Sequence, residues 1–163
     1  MIFLTVGTQF PFDRLVRAVD DAAGQGLFKD EMFAQIGNSA YRPRNFKAVY
    51  SLDKQEYDEM LRCAAGVISH AGMGTIAAAL EHKKPILVMP RLKRFGEVVN
   101  DHQVQIARQF ERDGYVVAAY GVEELPEKIK ALNLFVPKCR QEQAQAVAQR
   151  IRRFLDEASL KVH

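Results

Sequence analysis

The chain has 163 residues, 48% of them hydrophobic and 26% charged, with a formal net charge of +3. That is about one domain's length and the composition of an ordinary globular protein. It excludes a disordered, collagenous, coiled-coil or disulfide-scaffold chain, and no apolar run approaches the ~20 residues of a membrane span.

The two cysteines, Cys63 and Cys139, are far apart and lack C-x-x-C spacing, which fits two free thiols in a reducing compartment. Four histidines form no H-E-x-x-H and no Cys/His cluster, so no metal site is expected. The opening MIFLTVGTQF has no charged n-region and no small-residue cleavage site, so it does not read as a secretory signal. Residues 1–70 carry eight basic against nine acidic side chains, and residues 71–163 carry fifteen against eleven. The mild excess suits an anionic small molecule or an acidic surface near the C-terminal half. Basic clusters are not interleaved with aromatics, so nucleic acid is not an expected partner.

Residues 2–6 (IFLTV) form an apolar, β-branched run, the pattern of a buried parallel strand. After Gly7-Thr8-Gln9 a helix is expected from about Phe12 to Ala23, with Leu15, Val16, Val19 and Ala22 on one face. Strands follow at 32–36 and 46–50, then a helix over 54–65 capped by Asp53 or Ser51. Gly66–His70 is a fourth strand, 72–83 a turn and helix, and Pro85–Met89 a fifth strand stopped by Pro90. A polar loop over 91–100 precedes a helix over 101–112. A sixth strand is expected over 115–120, and a short helix over 123–132. A last helix over 140–158 carries Ala144, Val147, Ala148, Ile151, Phe154 and Leu155 as one stripe. This alternation predicts an α/β fold: a Rossmann-like, mostly parallel sheet with helices on both faces, in one domain over residues 1–163. Ligands of such folds bind beyond the carboxyl ends of the strands, so the strand-to-helix loops are the place to look.

The loop after the fourth strand is the most informative. In Gly66-Val67-Ile68-Ser69-His70-Ala71-Gly72-Met73-Gly74-Thr75 a strand enters a turn with two glycines and then a helix start. Such glycines let backbone approach a ligand, and the helix end offers free N–H groups and a positive dipole end. Thr75 adds a hydroxyl, as donor or cap. The combination suits a diphosphate, although many such turns carry glycines for geometry alone. A Walker A loop is absent, because no Gly-Lys-Ser/Thr follows. The dinucleotide fingerprint fails at Ala77, and there is no G-x-S-x-G elbow. No D-x-D pair is present to hold a metal–nucleotide.

ISHAGMGT at 68–75, KKPILVMPR at 83–91 and NDHQ at 100–103 resemble, in order and spacing, the C-terminal donor-binding domain of family 28 glycosyltransferases. The opening IFLTVGTQFPFDRLV resembles a subgroup of small single-domain subunits. That subgroup includes the cytosolic subunit of the dolichol-linked UDP-GlcNAc transferase and PssE/EpsE-type subunits of exopolysaccharide synthesis. PRLKRFGEVVNDHQ at 90–103 is nearest to the latter. The resemblance covers about residues 1–120.

It implies the GT-B fold and a UDP-sugar as substrate, with no cofactor and no metal. The diphosphate would meet Gly7, Thr8, His70, Gly72, Met73, Gly74 and Thr75, with Arg91 as a further phosphate partner. Asn100, His102 and Gln103 match the loop that contacts the donor sugar. Many members carry a ribose-binding Glu where Ala78 stands here; Glu97 and Glu81 are the candidate substitutes. The family's glycine before Lys-Pro is Lys83. No general base is assigned, and His70 is the candidate for test.

The expected function is therefore the UDP-sugar-binding catalytic subunit of a two-subunit inverting glycosyltransferase in polysaccharide synthesis. Its partners would be a membrane-anchored acceptor-binding subunit, a nucleotide sugar and a lipid-linked acceptor. It would be cytoplasmic, peripheral at the inner face of the membrane through its partner, with 140–158 as a docking helix. The alternative is a non-catalytic nucleotide-sugar-binding or scaffolding subunit. A length of 163 residues is not expected to hold a second, acceptor-binding domain beside this one.

Overall fold

The computed structural model describes residues 1–138; the expected helix over 140–158 and Cys139 lie outside the described residues. Six strands form one sheet: β1 Ile2–Thr5, β2 Met32–Gln35, β3 Lys47–Val49, β4 Gly66–His70, β5 Ile86–Met89 and β6 Val117–Ala118. Five α-helices connect or flank them: α1 Asp13–Gly24, α2 Lys54–Cys63, α3 Met73–Glu81, α4 His102–Arg112 and α5 Leu125–Leu132. Single 3-10 turns stand at Lys93–Phe95 and Val122–Glu124.

Every strand pair is parallel, and the order is β3-β2-β1-β4-β5-β6. The chain builds outward from β1 to β3, then crosses to the other side of β1 to begin β4. This reversal opens a crevice between the carboxyl ends of β1 and β4, where folds of this kind bind ligands. In register, Thr5 faces Ser69 across that boundary and Gln35 on its other side.

Burial follows the two-residue period of a strand. Ile2, Leu4, Ile68, Leu87 and Met89 pack with α1 and α5 residues such as Leu15, Val19 and Ile129. Phe3, Val67, Ile86 and Val88 pack on the other face with Leu61, Ile76 and Ala107. Both faces of the sheet are therefore covered, which is why the strands read as continuous apolar runs.

Local signals explain the ends. Asp53 accepts from the Glu56 N–H while Glu56 Oε2 accepts from the Asp53 N–H, a full capping box at α2. At the end of α3, Lys83 N–H donates to Leu80 O and Lys84 N–H to Ala79 O, a Schellman closure. Lys83 itself sits at φ +55°, the position where a glycine is preferred. The sixth strand is shorter than its expected range of 115–120, because only Val117 and Ala118 pair with β5. Tyr115 and Tyr120 lie outside the ladder and pack against the core by their rings.

Candidate functional site

Three loops meet at the carboxyl edge of the sheet. The first leaves β1 at Gly7, whose φ of +71° demands glycine or strain. A Cβ there would lie 3.1 Å from His70 Cε1. Gly37, at the end of β2, comes so near that a Cβ would stand 2.6 Å from the Gly7 carbonyl oxygen. Thr8, Gln9 and Phe10 are exposed.

The second loop leaves β4 at His70 and enters α3 at Met73. Gly72 is the N-cap of α3 and supplies no side chain to cap it. A Cβ on Gly72 would collide with His70 Nε2. At Gly74, in contrast, an added Cβ meets nothing within 4 Å, and φ there is not positive. The fold therefore has no use for glycine at 74, where it costs about 0.5–1 kcal/mol relative to alanine inside a helix. Ile76 N–H is the first to close a helical bond, to Gly72 O. The amides of Met73, Gly74 and Thr75 precede it, in the turn where helix N–H groups lack intrahelical partners. The Thr75 side chain is not a cap; it is buried and hydrogen-bonded to the Tyr57 hydroxyl, which also bonds the Thr5 side chain. Tyr57 thus ties the first turn of α3 to the end of β1. Burial raises its pKa, against those two hydrogen bonds.

Ser69 Oγ donates to the Thr5 carbonyl at 2.7 Å and lies 3.2 Å from His70 Nδ1. The His70 pKa is held down to about 4 by burial first and by the Arg91 charge second, with the Thr5 carbonyl opposing. His70 is neutral at pH 7.

The third loop leaves β5 at Pro90. Arg91 is only 3% exposed and lies along Phe12, 5.0 Å from the ring centre. Its Nη2 donates to the carbonyls of Val6 and Phe10, each at 2.6 Å, and Nε has no partner. Burial lowers its pKa to about 10, so it stays charged at neutral pH. Arg91, expected as a phosphate partner, is tied by its Nη2 to the first loop. Glu97, expected near ribose, is 9% exposed, and its oxygens accept from Arg14 Nε, Arg14 Nη2 and the Leu92 N–H. Its carboxylate holds the third loop to α1. Gln103 Oε1 accepts from the Arg91 N–H at 3.1 Å, and Asn100 Oδ1 from the His102 N–H at 3.2 Å. Asn100 and His102 are exposed at the start of α4. Glu81, the other expected carboxylate, is exposed at the far end of α3 from the glycine turn.

Gly7, His70, Gly72, Met73, Gly74 and Thr75 are thus brought to one crevice, whereas Glu97 and Arg91 form its frame. Arg14, Ser69, Tyr57 and Gly37 were not foreseen as parts of it. Three signals were present: Arg14 one turn after the first glycine loop, Ser69 beside His70, and a glycine closing the second strand. Among the described residues no group of three or more His, Cys, Asp or Glu could hold a metal ion, and no helix is long and apolar enough to cross a membrane.

A doubly wound parallel sheet with a glycine-bearing helix start at its switch point defines a Rossmann-like α/β domain. The chain belongs to the glycosyltransferase family 28 C-terminal domain family, whose profile matches residues 1–158. The UDP-N-acetylglucosamine transferase subunit ALG13 of Homo sapiens is 32% identical over 124 residues, 71% of this chain and 10% of that protein. The same-named subunit of Candida albicans is 30% identical over 110 residues, 68% of this chain and 31% of that protein. The chain therefore spans about a tenth to a third of the length of these curated relatives. An ALG13 structure determined by NMR superposes with a TM-score of 0.63 at 20% identity, over 91% of this chain and 92% of that one. MurG of Acinetobacter baumannii superposes at 0.59 and 18% identity, over 90% of this chain and 44% of that one. At these identities the two structures speak for the fold.

Proposed function

We propose that this chain is the donor-binding, catalytic subunit of a two-subunit inverting glycosyltransferase. It binds a UDP-sugar at the 70–75 turn and presents the anomeric carbon to a lipid-linked acceptor held by a membrane-anchored partner. The observation that carries the reading is Gly74: a glycine the fold does not need, at an uncapped helix N-terminus, leaving open the space a diphosphate would fill. The amides of residues 73–75 and the positive helix end would stabilise the leaving diphosphate without a metal. Asn100 and His102, exposed on the neighbouring loop, would meet the sugar. The relatives' names support UDP as the nucleotide. The pattern of residues 90–103 supports polysaccharide synthesis as the setting, and a cytoplasmic location at the inner membrane face follows from a membrane-anchored partner.

Calorimetric titration of UDP-sugars into the purified chain, alone and with its partner, tests this. Binding by the wild type and its loss in Gly74→Asp, which sets a carboxylate where the phosphates would lie, is the expected result. Failure of the wild type to bind in either state would sink it.

A second reading, a non-catalytic nucleotide-sugar-binding or scaffolding subunit, is favoured by one observation. Ala78 stands where many family members carry a ribose-binding carboxylate; of the two candidate substitutes, Glu81 lies at the far end of α3 and Glu97 is occupied by Arg14 and Leu92. Sugar transfer reconstituted with the partner and abolished by His102→Ala would exclude it.

A further inference from the structure

We infer that Ser69 is a positioning residue that fixes the proton of His70 on Nδ1, so that a diphosphate reaching Nε2 is bound together with a proton from solvent. The inference rests on the reading of the 70–75 turn as a diphosphate site and adds its protonation chemistry.

The argument is one of donor and acceptor inventory. A carbonyl oxygen only accepts, so the single hydroxyl proton of Ser69 is committed to Thr5 O at 2.7 Å. The remaining contact, Ser69 Oγ to His70 Nδ1 at 3.2 Å, then requires the imidazole to donate. The ring is neutral at pH 7, so Nε2 carries a bare lone pair. That atom faces Gly72, the N-cap of α3, and stands 3.6 Å from where a Cβ on Gly7 would be. Nε2 therefore lies between the two glycine loops, where the phosphates would come.

A bare nitrogen and an anionic oxygen are both acceptors and repel each other. Protonation of Nε2 turns the contact into a charge-assisted hydrogen bond. The surroundings decide when this happens. Around the ring stand Ser69 of its own strand, Thr5 and Gly7 from β1, the positive N-terminus of α3 with Gly72, and the Arg91 guanidinium from the end of β5. The cationic groups in this set oppose a charge on the empty site's histidine. A bound diphosphate compensates them and reverses the balance. No bond is made or broken beyond one proton moving from buffer to Nε2.

The sign follows from linkage. The free-site pKa lies below the bound-state pKa, so between the two values binding takes up a proton. Affinity then rises as pH falls, about tenfold per pH unit in that window. It levels off below the free-site value.

The test uses the full chain with UDP-N-acetylglucosamine and UDP-glucose. Their phosphates are diesters, so they lack the secondary ionisation that titrates near pH ~6 in a phosphomonoester. Calorimetry in two buffers of different ionisation enthalpy is expected to show uptake of about one proton per bound ligand near pH ~6 in the wild type. His70→Gln, which can still donate, is expected to bind with no uptake and no such pH dependence. Nitrogen-detected NMR of the ligand-free wild type is expected to show Nδ1–H with bare Nε2. Ser69→Ala should mix the tautomers, and Ser69→Thr, which keeps the hydroxyl, should restore the single one. Wild-type binding without proton uptake, or an Nε2–H ring in the free chain, would overturn the inference while leaving donor binding intact. Absence of all binding at every pH, alone and with the partner subunit, with the tautomer as expected, would overturn the diphosphate reading and the proton-linked step built on it.

Discussion

Arg14 holds Glu97 by both carboxylate oxygens, Nε to Oε1 at 2.8 Å and Nη2 to Oε2 at 2.9 Å. The same guanidinium donates from Nη2 to the Pro90 carbonyl and lies between the rings of Phe12 and Phe95. One side chain in the first turn of α1 thus holds the loop that follows β5, 76 and 83 residues further along the chain.

This pairing separates two roles for Glu97. As a frame residue, its replacement by Gln weakens the clamp and lowers stability by about 1–3 kcal/mol. Arg14→Ala, which leaves a mostly buried carboxylate without its cation, should cost about 2–3 kcal/mol or more. In Glu97→Gln the preference for UDP over 2′-deoxy-UDP should not change. Urea unfolding and paired titrations measure both quantities. A collapse of the ribose preference would show that Glu97 touches the nucleotide after all.

Asp20 makes a comparable clamp on the other side of β1. It is 1% exposed and accepts from the Tyr41 hydroxyl, the backbone N–H groups of Arg44 and Asn45, and Asn45 Nδ2. Burial alone would raise its pKa, but these hydrogen bonds outweigh it and the net shift is downward. A depressed carboxyl pKa stabilises the fold above the unfolded value near 3.8, and that stability is lost as pH falls through the folded value. Asp20→Asn should therefore cost about 2–3 kcal/mol at neutral pH. The gap from wild type should narrow below about pH 4. A gap that stays constant into acid would show that the charge is not what matters.

Lys83 offers a stabilising change. Its φ of +55° is left-handed, where a side chain costs about 1–2 kcal/mol. Glycine removes that strain and gives back about 0.4–1 kcal/mol through a freer unfolded chain. Lys83→Gly should raise stability by about 0.5 kcal/mol, read from the urea midpoint at unchanged slope. A fall in the midpoint would mean that the Lys83 side chain stabilises the fold through interactions that outweigh the strain.

The strand–helix alternation, the parallel sheet and the glycine turn at 70–75 were readable because period, punctuation and local motif coincide there. β6 is shorter than its sequence pattern suggests because Tyr115 and Tyr120 have the composition of strand residues but are used as core rings beside the ladder. The roles of Arg91 and Glu97 were not readable. Their residue types fit a phosphate or ribose site, and only long-range geometry assigns Arg91 to the Val6 and Phe10 carbonyls and Glu97 to Arg14. Ser69 was visible as part of a strand, but its hydroxyl's direction depends on the β1–β4 register. Sequence patterns resolve which loops form the crevice; partner choice within it is a tertiary property.

Gly74 gives the sharpest contrast between folding and function. A Cβ at this position meets nothing within 4 Å, so Gly74→Ala introduces no clash in the empty protein. The helix gains a better former in its first turn, and stability should rise by about 0.5–1 kcal/mol. A diphosphate lying against the 73–75 amides would, however, meet the new methyl group. Affinity for a UDP-sugar should fall about tenfold or more, equivalent to ~1.4 kcal/mol. Chemical denaturation and calorimetry on the same preparation give both numbers. Opposite signs are the signature of a glycine kept for a ligand. If Gly74→Ala is more stable and binds as well as the wild type, the phosphates do not approach the helix at this residue.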